Sequence, residues 1–402
     1  MRARSLHSEA TVQGHVGSGS NPARFDILLV GGGLQNGLIA LAALRAQPRL
    51  RIAMIERTAA IGGNHTWCFH AGDVPPELAR VVDRITTVRW DGYAVRFPGW
   101  ERILLEPYAG TCSVALAAAV GDAFERAEHG ALRCGVAVRT VSADRVELET
   151  GEILSGDLIV DARGPQHLLV DRTAGYQKFV GVELALARPH ALQRPVLVDA
   201  TVPQVGGFRF FYVLPLAADR VLVEDTTFAR DPELDPERLE HNCLRFAAAA
   251  GLAIARVIRT EQGVLAMPWS ASCEPPGAPL VGGYQGGWFH PATGYSFPIA
   301  ARLAAFIARR APGAVVGPEL ASLWRAHQQQ VRFCHRLNKL LFHWFAEGDE
   351  WHVFERFYRL PAPVIRRFYA LETTATDRAR ILFGRPPRGF SLRTRLAARL
   401  AR

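Results

Sequence analysis

Cysteine is scarce in this sequence, and no two cysteines stand at a metal-binding spacing. The 402 residues include six, which are Cys68, Cys112, Cys134, Cys243, Cys273 and Cys334. Because no CxxC pair occurs, the sequence predicts neither a disulfide framework nor a zinc site. We therefore expect a reducing, cytoplasmic compartment and no metal ligands.

Long apolar segments are also few. Residues 1–24 lack the apolar core of a signal peptide, so we expect a flexible leader that lies outside the fold. The longest apolar run, residues 25–44, is interrupted by three consecutive glycines. This interruption favours a strand, a turn and a helix over a membrane span. We predict no integral membrane helix.

Acidic residues are outnumbered by basic ones, 38 to 47, which gives a formal net charge of +9. Such a balance is typical of a chain that meets a negatively charged partner. The C-terminal end has no acid among its arginines, which are Arg385, Arg388, Arg393, Arg395, Arg399 and Arg402. Interleaved leucines favour a membrane-surface segment over a base-reading element, and a solvated basic terminus is the alternative. We expect no nucleic-acid partner.

The remaining composition is that of a globular α/β chain. It is 49% hydrophobic and 21% charged, which excludes collagen-like, coiled-coil and mostly disordered classes. At roughly 150 residues per domain, the length predicts two or three lobes.

A βαβ unit opens the predicted fold. Residues 25–30 and 51–56 have strand character, and residues 34–44 have helical composition. In the glycine turn between strand and helix, Gly31 permits a tight turn and Gly33 allows the backbone to approach a pyrophosphate at the helix N-terminus. Asn36 stands where Gly or Ala is usual, and Gly37 follows it. All four are candidate cofactor-binding residues.

Glu56 ends the second strand, about 23 residues after Gly33. A carboxylate there can accept hydrogen bonds from both ribose hydroxyls of an adenosine. The alternative is a surface acid at a strand end. Because Glu56 would repel a 2′-phosphate, the unit predicts FAD or NAD rather than NADP at this position.

Three later loops contribute further cofactor candidates. They supply Gly63, Asn64 and His65 after the second strand, Arg163 and Gly164 after a strand near residue 160, and Pro291, Gly294 and Tyr295 in a Gly-rich aromatic loop. Contacts from several parts of the chain suit FAD, which is a long molecule. For His65 a packed loop position is the favoured alternative to a proton relay.

Residues 178–228 have strand after strand, which predicts an antiparallel sheet, and the chain from residue 319 onward has helical character. The predicted division is a leader (1–24), a cofactor domain (25–175, with a return segment 261–312), a substrate domain (176–260) and a helical C-terminal lobe with a basic tail (313–402).

Several segments together carry a family resemblance. They are GGGLQNGLIAL, GGNHTWCFH, GYQKFVGVEL, PVLVDATV, FRFFYVLPL, VLVEDTTF, FHPATGYSFP, RLNKLLF and RFYRLPAPVIRRFYA. In this order they resemble motifs of the bacterial lycopene beta-cyclases, over about residues 25–387. The resemblance implies a Rossmann-type FAD-binding fold of the glutathione-reductase type, with an antiparallel-sheet substrate domain and a helical C-terminal lobe.

It also implies an activity: ring closure at both ends of lycopene, giving β-carotene through γ-carotene without net redox change. In this family FAD acts in its reduced form, with NADPH or NADH as electron donor. The substrate comes from the bilayer, which implies a peripheral enzyme on the inner face of the cell membrane. Contacts with other carotenoid-pathway enzymes are compatible with this picture.

Ring closure requires a general acid that stays protonated in an apolar pocket. Two candidate catalytic carboxylates, Glu224 and Asp225, are consecutive in an apolar strand, so they face opposite sides. The family motif points to Glu224 as acid and base, and leaves Asp225 to orient a loop or bind backbone. Solvated acids at a strand end are the alternative. Glu183 or Asp199 could set the protonation of Glu224, and structural roles are the alternative for both.

Aromatic side chains are candidates for stabilising a carbocation. They are Phe208, Phe210, Phe211, Tyr212, Trp288, Phe289 and Tyr295. A second apolar group, at residues 340–345, is either a membrane-docking face or core. Two other functions stay open: a flavin monooxygenase of a hydrophobic substrate, and a non-catalytic carotenoid-binding flavoprotein.

Overall fold

The computed structural model describes residues 23–164, 173–270 and 274–383. The expected leader, residues 1–24, lies outside these ranges except for its last two residues, Ala23 and Arg24, which begin a strand. Cys273 and the arginine-rich C-terminal segment also lie outside them.

The described strands, in chain order, are β1 (Ala23–Val30), β2 (Ile52–Glu56), β3 (Thr66–His70), β4 (Val88–Trp90), β5 (Tyr93–Phe97), β6 (Trp100–Leu104), β7 (Tyr108–Cys112), β8 (Gly130–Cys134), β9 (Val138–Val141), β10 (Arg145–Leu148), β11 (Ile153–Asp161), β12 (Ala174–Leu186), β13 (Val196–Asp199), β14 (Phe208–Ala217), β15 (Arg220–Ala229), β16 (Ile254–Pro268) and β17 (Leu280–Val281). The described α-helices are α1 (Leu34–Ala46), α2 (Ala79–Ile85), α3 (Ser113–Arg126), α4 (Pro236–Ala249), α5 (Phe297–Ala308), α6 (Pro318–Trp344), α7 (Trp351–Tyr358), α8 (Ala362–Tyr369) and α9 (Ala375–Phe383).

The first sheet is the core of a Rossmann-type fold. Its order is β8-β2-β1-β11-β10-β9, with β17 paired to β11. Strands β8, β2, β1, β11 and β17 are parallel neighbours. Both faces of β1 are covered, which is why its second half is a continuous apolar run rather than an alternating one. Helices α1, α3 and α5 supply one of the covering layers.

The second sheet has the order β16-β12-β15-β14-β13-β5-β6. It is antiparallel except for the β13–β5 pair. Its strands come from more of the chain than the predicted substrate domain, 176–260: β5 and β6 precede that range, and β16 continues to Pro268. The pairing of β5 with β13 joins residues about a hundred positions apart, so no local pattern in the sequence indicates it.

The two faces of the second sheet have different neighbours. On one face, Val221 and Val223 of β15 pack with Leu239 and Cys243 of α4. On the other, Leu222 packs in a second cluster that includes aromatic side chains and the C-terminal helices. Strand alternation therefore sends odd-numbered residues of β15 to α4 and even-numbered ones to the opposite side.

The apolar group at residues 340–345 is largely core. Leu341, Phe342 and Phe345 are buried, and the Phe342 ring lies over the position where a Cβ on Gly175 would be. The docking alternative for this stripe is therefore wrong for these three residues. In the parts of the chain that the structure describes, no helix has both the length and the apolar character needed to cross a membrane.

Candidate active site

A cavity of about 800 Å³ is lined by residues from both large sheets and from the C-terminal helices. The glycine turn after β1, the loop between β2 and β3, and the loop after β17 form one part of its wall. Strands β12, β14, β15 and β16 form another part. One space thus adjoins both the predicted cofactor residues and Glu224.

The glycine turn has two positions with different constraints. Gly31 has φ of +92°, and a Cβ there would lie 2.7 Å from the carbonyl oxygen of Ala162. Gly33 caps α1 and has no neighbouring atom within 4 Å of an added Cβ. Because no side chain caps this helix and no acid stands in its first turn, its N–H groups are open to an anion.

Asn36 and Gly37 stabilise the turn from behind. The Asn36 amide donates to the carbonyl oxygens of Val30 and Gly31, at 3.0 and 2.8 Å. A Cβ on Gly37 would lie 3.0 Å from Leu116, so the glycine allows α1 to approach α3. Gly37, the displaced glycine of the motif, is therefore a packing position, and Asn36 holds the turn in place through its two hydrogen bonds.

Glu56 lies at the end of β2 and lines the cavity. Its Oε2 accepts from the backbone N–H of Gly32 at 2.7 Å, and its Oε1 accepts from the N–H and hydroxyl of Thr58, both at 2.8 Å. Burial acts to raise the pKa of Glu56, but these hydrogen bonds outweigh burial and lower it. The carboxylate is thus fixed in its charged form beside the turn.

Six other predicted cofactor residues line the same cavity, namely Gly63, His65, Arg163, Gly164, Gly294 and Tyr295. Asn64 is directed at β16, where its amide donates to the Thr260 carbonyl at 2.7 Å. The carbonyl of Pro291 accepts from Asn338 at 2.8 Å. Burial, followed by the charge of Arg259, lowers the pKa of His65.

The residues present fit a dinucleotide cofactor. The open helix N-terminus at Gly33 can receive a pyrophosphate, and the ionised Glu56 can accept from ribose hydroxyls. Further along the cavity the wall becomes apolar and aromatic, which is the surface that a flavin ring or a hydrocarbon would contact.

Glu224 projects from β15 into this cavity. The side chain is half-buried. Burial, and next the negative charge of Glu261, raise the pKa of Glu224 to about 8. The Thr226 hydroxyl donates to its Oε1 at 2.6 Å, which opposes that rise. Glu224 is therefore protonated at neutral pH.

Asp225 lies on the opposite face of β15, toward α4. The guanidinium of Arg209 donates two hydrogen bonds to it, at 2.9 and 2.7 Å, and Asn242 donates a third at 2.9 Å. The side chain is buried and fully occupied by these partners. Asp225, a predicted catalytic residue, thus lies apart from the residues that line the cavity with Glu224.

Glu261 of β16 is a cavity residue that the sequence does not single out. Its Oε2 accepts from Arg259 at 2.6 Å and from the Thr66 hydroxyl at 3.0 Å. Burial raises the pKa of Glu261, and these two partners oppose the rise. Its sequence signal is weak: a single acid between Thr260 and Gln262, in a segment whose pairing with β12 is not local.

Glu183 and Asp199, the partners considered for Glu224, are engaged elsewhere. Glu183 is bound by Arg220 and Arg259. Asp199 accepts from the Thr201 hydroxyl and lies 3.5 Å from Arg96. Both carboxylates bind cations of neighbouring strands, and neither is among the residues that line the cavity.

Aromatic rings form much of the wall around Glu224. Those on the second sheet and the C-terminal helices are Phe179, Phe208, Phe210, Tyr212, Phe228, Phe354, Tyr358 and Tyr369. Trp288 and Tyr295, also expected near the reaction, line the cavity. Phe211 instead stacks on Phe246 of α4, at 4.1 Å, and Phe289 stacks on Tyr284, at 4.3 Å.

Two comparisons of sequence identify relatives. Residues 26–395 match the family model described as lycopene cyclase protein. The chain is 37% identical to a lycopene beta-cyclase of Pantoea ananas, over 90% of this chain and 95% of that protein. It is 38% identical to a lycopene beta-cyclase of Pseudescherichia vulneris, over 90% of this chain and 94% of that one.

Solved structures with the same fold are more distant in sequence. A geranylgeranyl bacteriochlorophyll reductase-like protein from Thermoplasma acidophilum has a TM-score of 0.59 at 14% identity, covering 94% of this chain and 96% of its own. PqsL, a probable FAD-dependent monooxygenase from Pseudomonas aeruginosa, has a TM-score of 0.58 at 17% identity, covering 82% and 98%. The predicted fold class is confirmed, and by the match along nearly its whole length the chain belongs to the lycopene cyclase family.

Proposed function

We propose that this protein is a lycopene beta-cyclase, which converts lycopene through γ-carotene to β-carotene. The observation that carries the proposal is Glu224, a carboxyl group with a raised pKa in an aromatic cavity that also adjoins a dinucleotide-type glycine turn. Membership of the lycopene cyclase family supports the same substrate class.

Glu224 serves as both acid and base in the proposed reaction. Its proton passes to the terminal alkene of an acyclic end, which forms a C–H bond and a tertiary cation. The next double bond attacks this cation and closes the ring, and the charge moves to a ring carbon. The Glu224 carboxylate then removes a ring proton, so substrate and product have the same composition and oxidation level.

The cavity wall assists this chemistry. Aromatic rings such as those of Phe208 and Tyr212 stabilise a cation by about 0.5–2 kcal/mol each. Burial raises the pKa of the tyrosines Tyr108 and Tyr212 well above the ordinary value, so they stay neutral. An apolar wall also excludes water, which would trap the cation as an alcohol.

We propose FAD as the cofactor, held at Gly31, Gly33 and Glu56 and contacted from the loops at Gly63, His65, Arg163, Gly164, Gly294 and Tyr295. In its reduced form FAD supplies an electron-rich ring system that stabilises nearby positive charge, and NADPH or NADH is the proposed electron donor. The proposed cofactor domain consists of residues 25–175 and 261–312, except for the residues of β5, β6, β12 and β16, which belong to the second sheet. The proposed substrate domain is residues 176–260 together with those strands, and the proposed C-terminal lobe is residues 313–402.

We also propose a peripheral position on the inner face of the cell membrane, where lycopene dissolves and where other carotenoid-pathway enzymes would be met. Two exposed apolar side chains support a docking face around α7. Leu105 follows β6, which is tied to the end of α7 through Arg102. Phe383 ends α9, which is tied to α7 through Arg356.

One assay separates the cyclase from its alternatives. Lycopene in liposomes is incubated anaerobically with the protein, FAD and NADPH, and the products are separated by chromatography. We expect ring formation without oxygen. Conversion that requires oxygen would instead identify a monooxygenase, and binding without conversion would identify a carotenoid-binding flavoprotein.

A further inference from the structure

Glu224 and Glu261 flank the same glycine in the second sheet. Gly181 of β12 is in register with Glu224 of β15 on one side and with Glu261 of β16 on the other. Residues in register on neighbouring strands project from the same face. Both glutamates also line the cavity. Because neighbouring strands lie about 4.8 Å apart, the Cα atoms of Glu224 and Glu261 are roughly 10 Å apart.

The glycine between the two strands leaves room for the Glu261 side chain. Glu261 leans over Gly181: an added Cβ at that glycine would lie 3.1 Å from its Cγ and 3.5 Å from its Oε1. A larger residue at position 181 would fill the space between the two acids. The sheet thus places the two acids on either side of a residue that has no side chain.

The two carboxyl groups have different partners. Glu261 has a cation, Arg259, which also binds Glu183 and the Asn64 side chain. Within the described part of the chain, the hydrogen bond that Glu224 accepts comes from Thr226, and no cation is paired with it. When one of two neighbouring carboxyl groups has a cation and the other has none, the first ionises and the second keeps its proton.

The other ionisable groups around Glu224 are neutral or neutralised. On its own strand, Asp225 is paired with Arg209 on the far face. Tyr212 of β14, Tyr108 of β7 and Cys68 of β3 are buried with raised pKa values, and from β12 Glu183 is compensated by Arg220 and Arg259. Glu261 is therefore the anion that acts most strongly on Glu224.

We propose that Glu261, held as a carboxylate by Arg259 and Thr66, is a positioning residue whose charge across Gly181 keeps Glu224 protonated between turnovers. Its use in ring closure rests on the proposed function. The same ion network includes Asn64, in the loop that follows β2, and Thr66, at the start of β3. Arg259 therefore connects Glu261 with the loop that carries the predicted cofactor residues.

The test is the pH dependence of kcat/KM for ring closure by the FAD-loaded full chain in lycopene liposomes, with the flavin reduced chemically. Wild type should lose activity above pH about 8, as Glu224 ionises. Glu261→Gln removes the neighbouring charge, and its alkaline limb should move down by about one pH unit. Glu261→Asp keeps the charge and should restore the wild-type limb even where kcat falls.

Glu183→Gln is the matched control, because it removes a carboxylate bound to the same Arg259 but outside the cavity wall. Its limb should move by less than half of the Glu261→Gln shift. An unmoved limb in Glu261→Gln, or an equal shift in Glu183→Gln, would overturn the proposal. If Glu261→Gln does not fold, Arg259→Lys and Arg259→Gln replace it in the comparison. Arg259→Lys should hold the limb, and Arg259→Gln should move it upward, because the negative charge of Glu261 then acts on Glu224 without a neighbouring cation.

A second measurement is independent of ring closure. Infrared difference titration of the FAD-loaded protein without lycopene reports the protonated carboxyl of Glu224, identified by its loss in Glu224→Gln. Its titration midpoint should fall in Glu261→Gln by the same shift as the kinetic limb. If wild type closes no ring but the midpoint moves, the proposed function fails and the coupling stands; if the midpoint stays, the coupling fails.

Discussion

Glu224 and Asp225 are neighbours in sequence but lie on opposite faces of β15. Glu224 faces the cavity with a pKa raised to about 8, whereas Asp225 faces α4 and is bound by Arg209 and Asn242. Because side chains alternate along a strand, Glu224 is available for catalysis in the cavity and Asp225 is part of the packing against α4.

This separation predicts different effects of two conservative variants. Glu224→Gln should reduce the rate of ring closure by about 10²–10⁴-fold, the usual contribution of a general acid, while FAD absorbance is retained. Asp225→Asn should lower the melting temperature, because it removes the buried negative charge that pairs with Arg209. Chromatography and thermal melting measure the two effects. Normal product from Glu224→Gln would place the acid elsewhere.

The raised pKa of Glu224 also predicts a pH-dependent stability. The folded protein holds a proton up to pH about 8, whereas the unfolded chain releases it near 4.5. Between these values the free energy of unfolding contributed by this group falls by about 1.4 kcal/mol per pH unit. Glu224→Gln removes that fall, so its melting temperature relative to wild type should rise from pH 5 to pH 8. A difference that is constant with pH would contradict the assignment.

The glycine turn predicts a contrast between two alanine variants. Gly33→Ala has open space around the new Cβ, so the protein should fold normally but bind FAD more weakly, because the methyl group occupies the pyrophosphate position. Gly31→Ala meets the Ala162 carbonyl at a positive φ, so it should reduce stability itself. Thermal melting of the FAD-free protein and FAD titration separate the two. Equal FAD affinity in Gly33→Ala and wild type would argue against this cofactor position.

Gly181 offers a test of the space between the two acids. Gly181→Val should displace the Glu261 side chain, since even a Cβ lies 3.1 Å from its Cγ, and should lower kcat for ring closure. Gly121→Ala in α3, where an added Cβ meets no atom within 4 Å, is the control and should leave kcat unchanged. Full activity in a folded Gly181→Val protein would contradict the proposed use of this gap.

Local patterns in the sequence were sufficient for the βαβ unit and for the orientation of Glu224. Gly31, Gly33 and Glu56 are read from a strand, a turn and a strand within about 30 residues, and alternation in β15 separates Glu224 from Asp225. In both cases the relevant residues are close in sequence, so the local sequence pattern is enough to predict their relative positions.

Long-range pairing accounts for what the sequence did not indicate. Glu261 reaches the acid through the pairing of β16 with β12, across about 80 residues. The stripe at Leu341 and Phe342 shows a second limit, because core and membrane-facing helices have the same apolar periodicity. Only the packing of Phe342 over Gly175 decides between them.

The central claim is that Glu224 delivers a proton to the polyene end beside reduced FAD. The most direct test is a single turnover in deuterium oxide, without oxygen, with pre-equilibrated protein in excess over lycopene and mass spectrometry of the product. We expect a cyclised product whose first ring carries one deuterium, and no such product from Glu224→Gln. A ring formed without deuterium, or equal labelled product from Glu224→Gln, would contradict it.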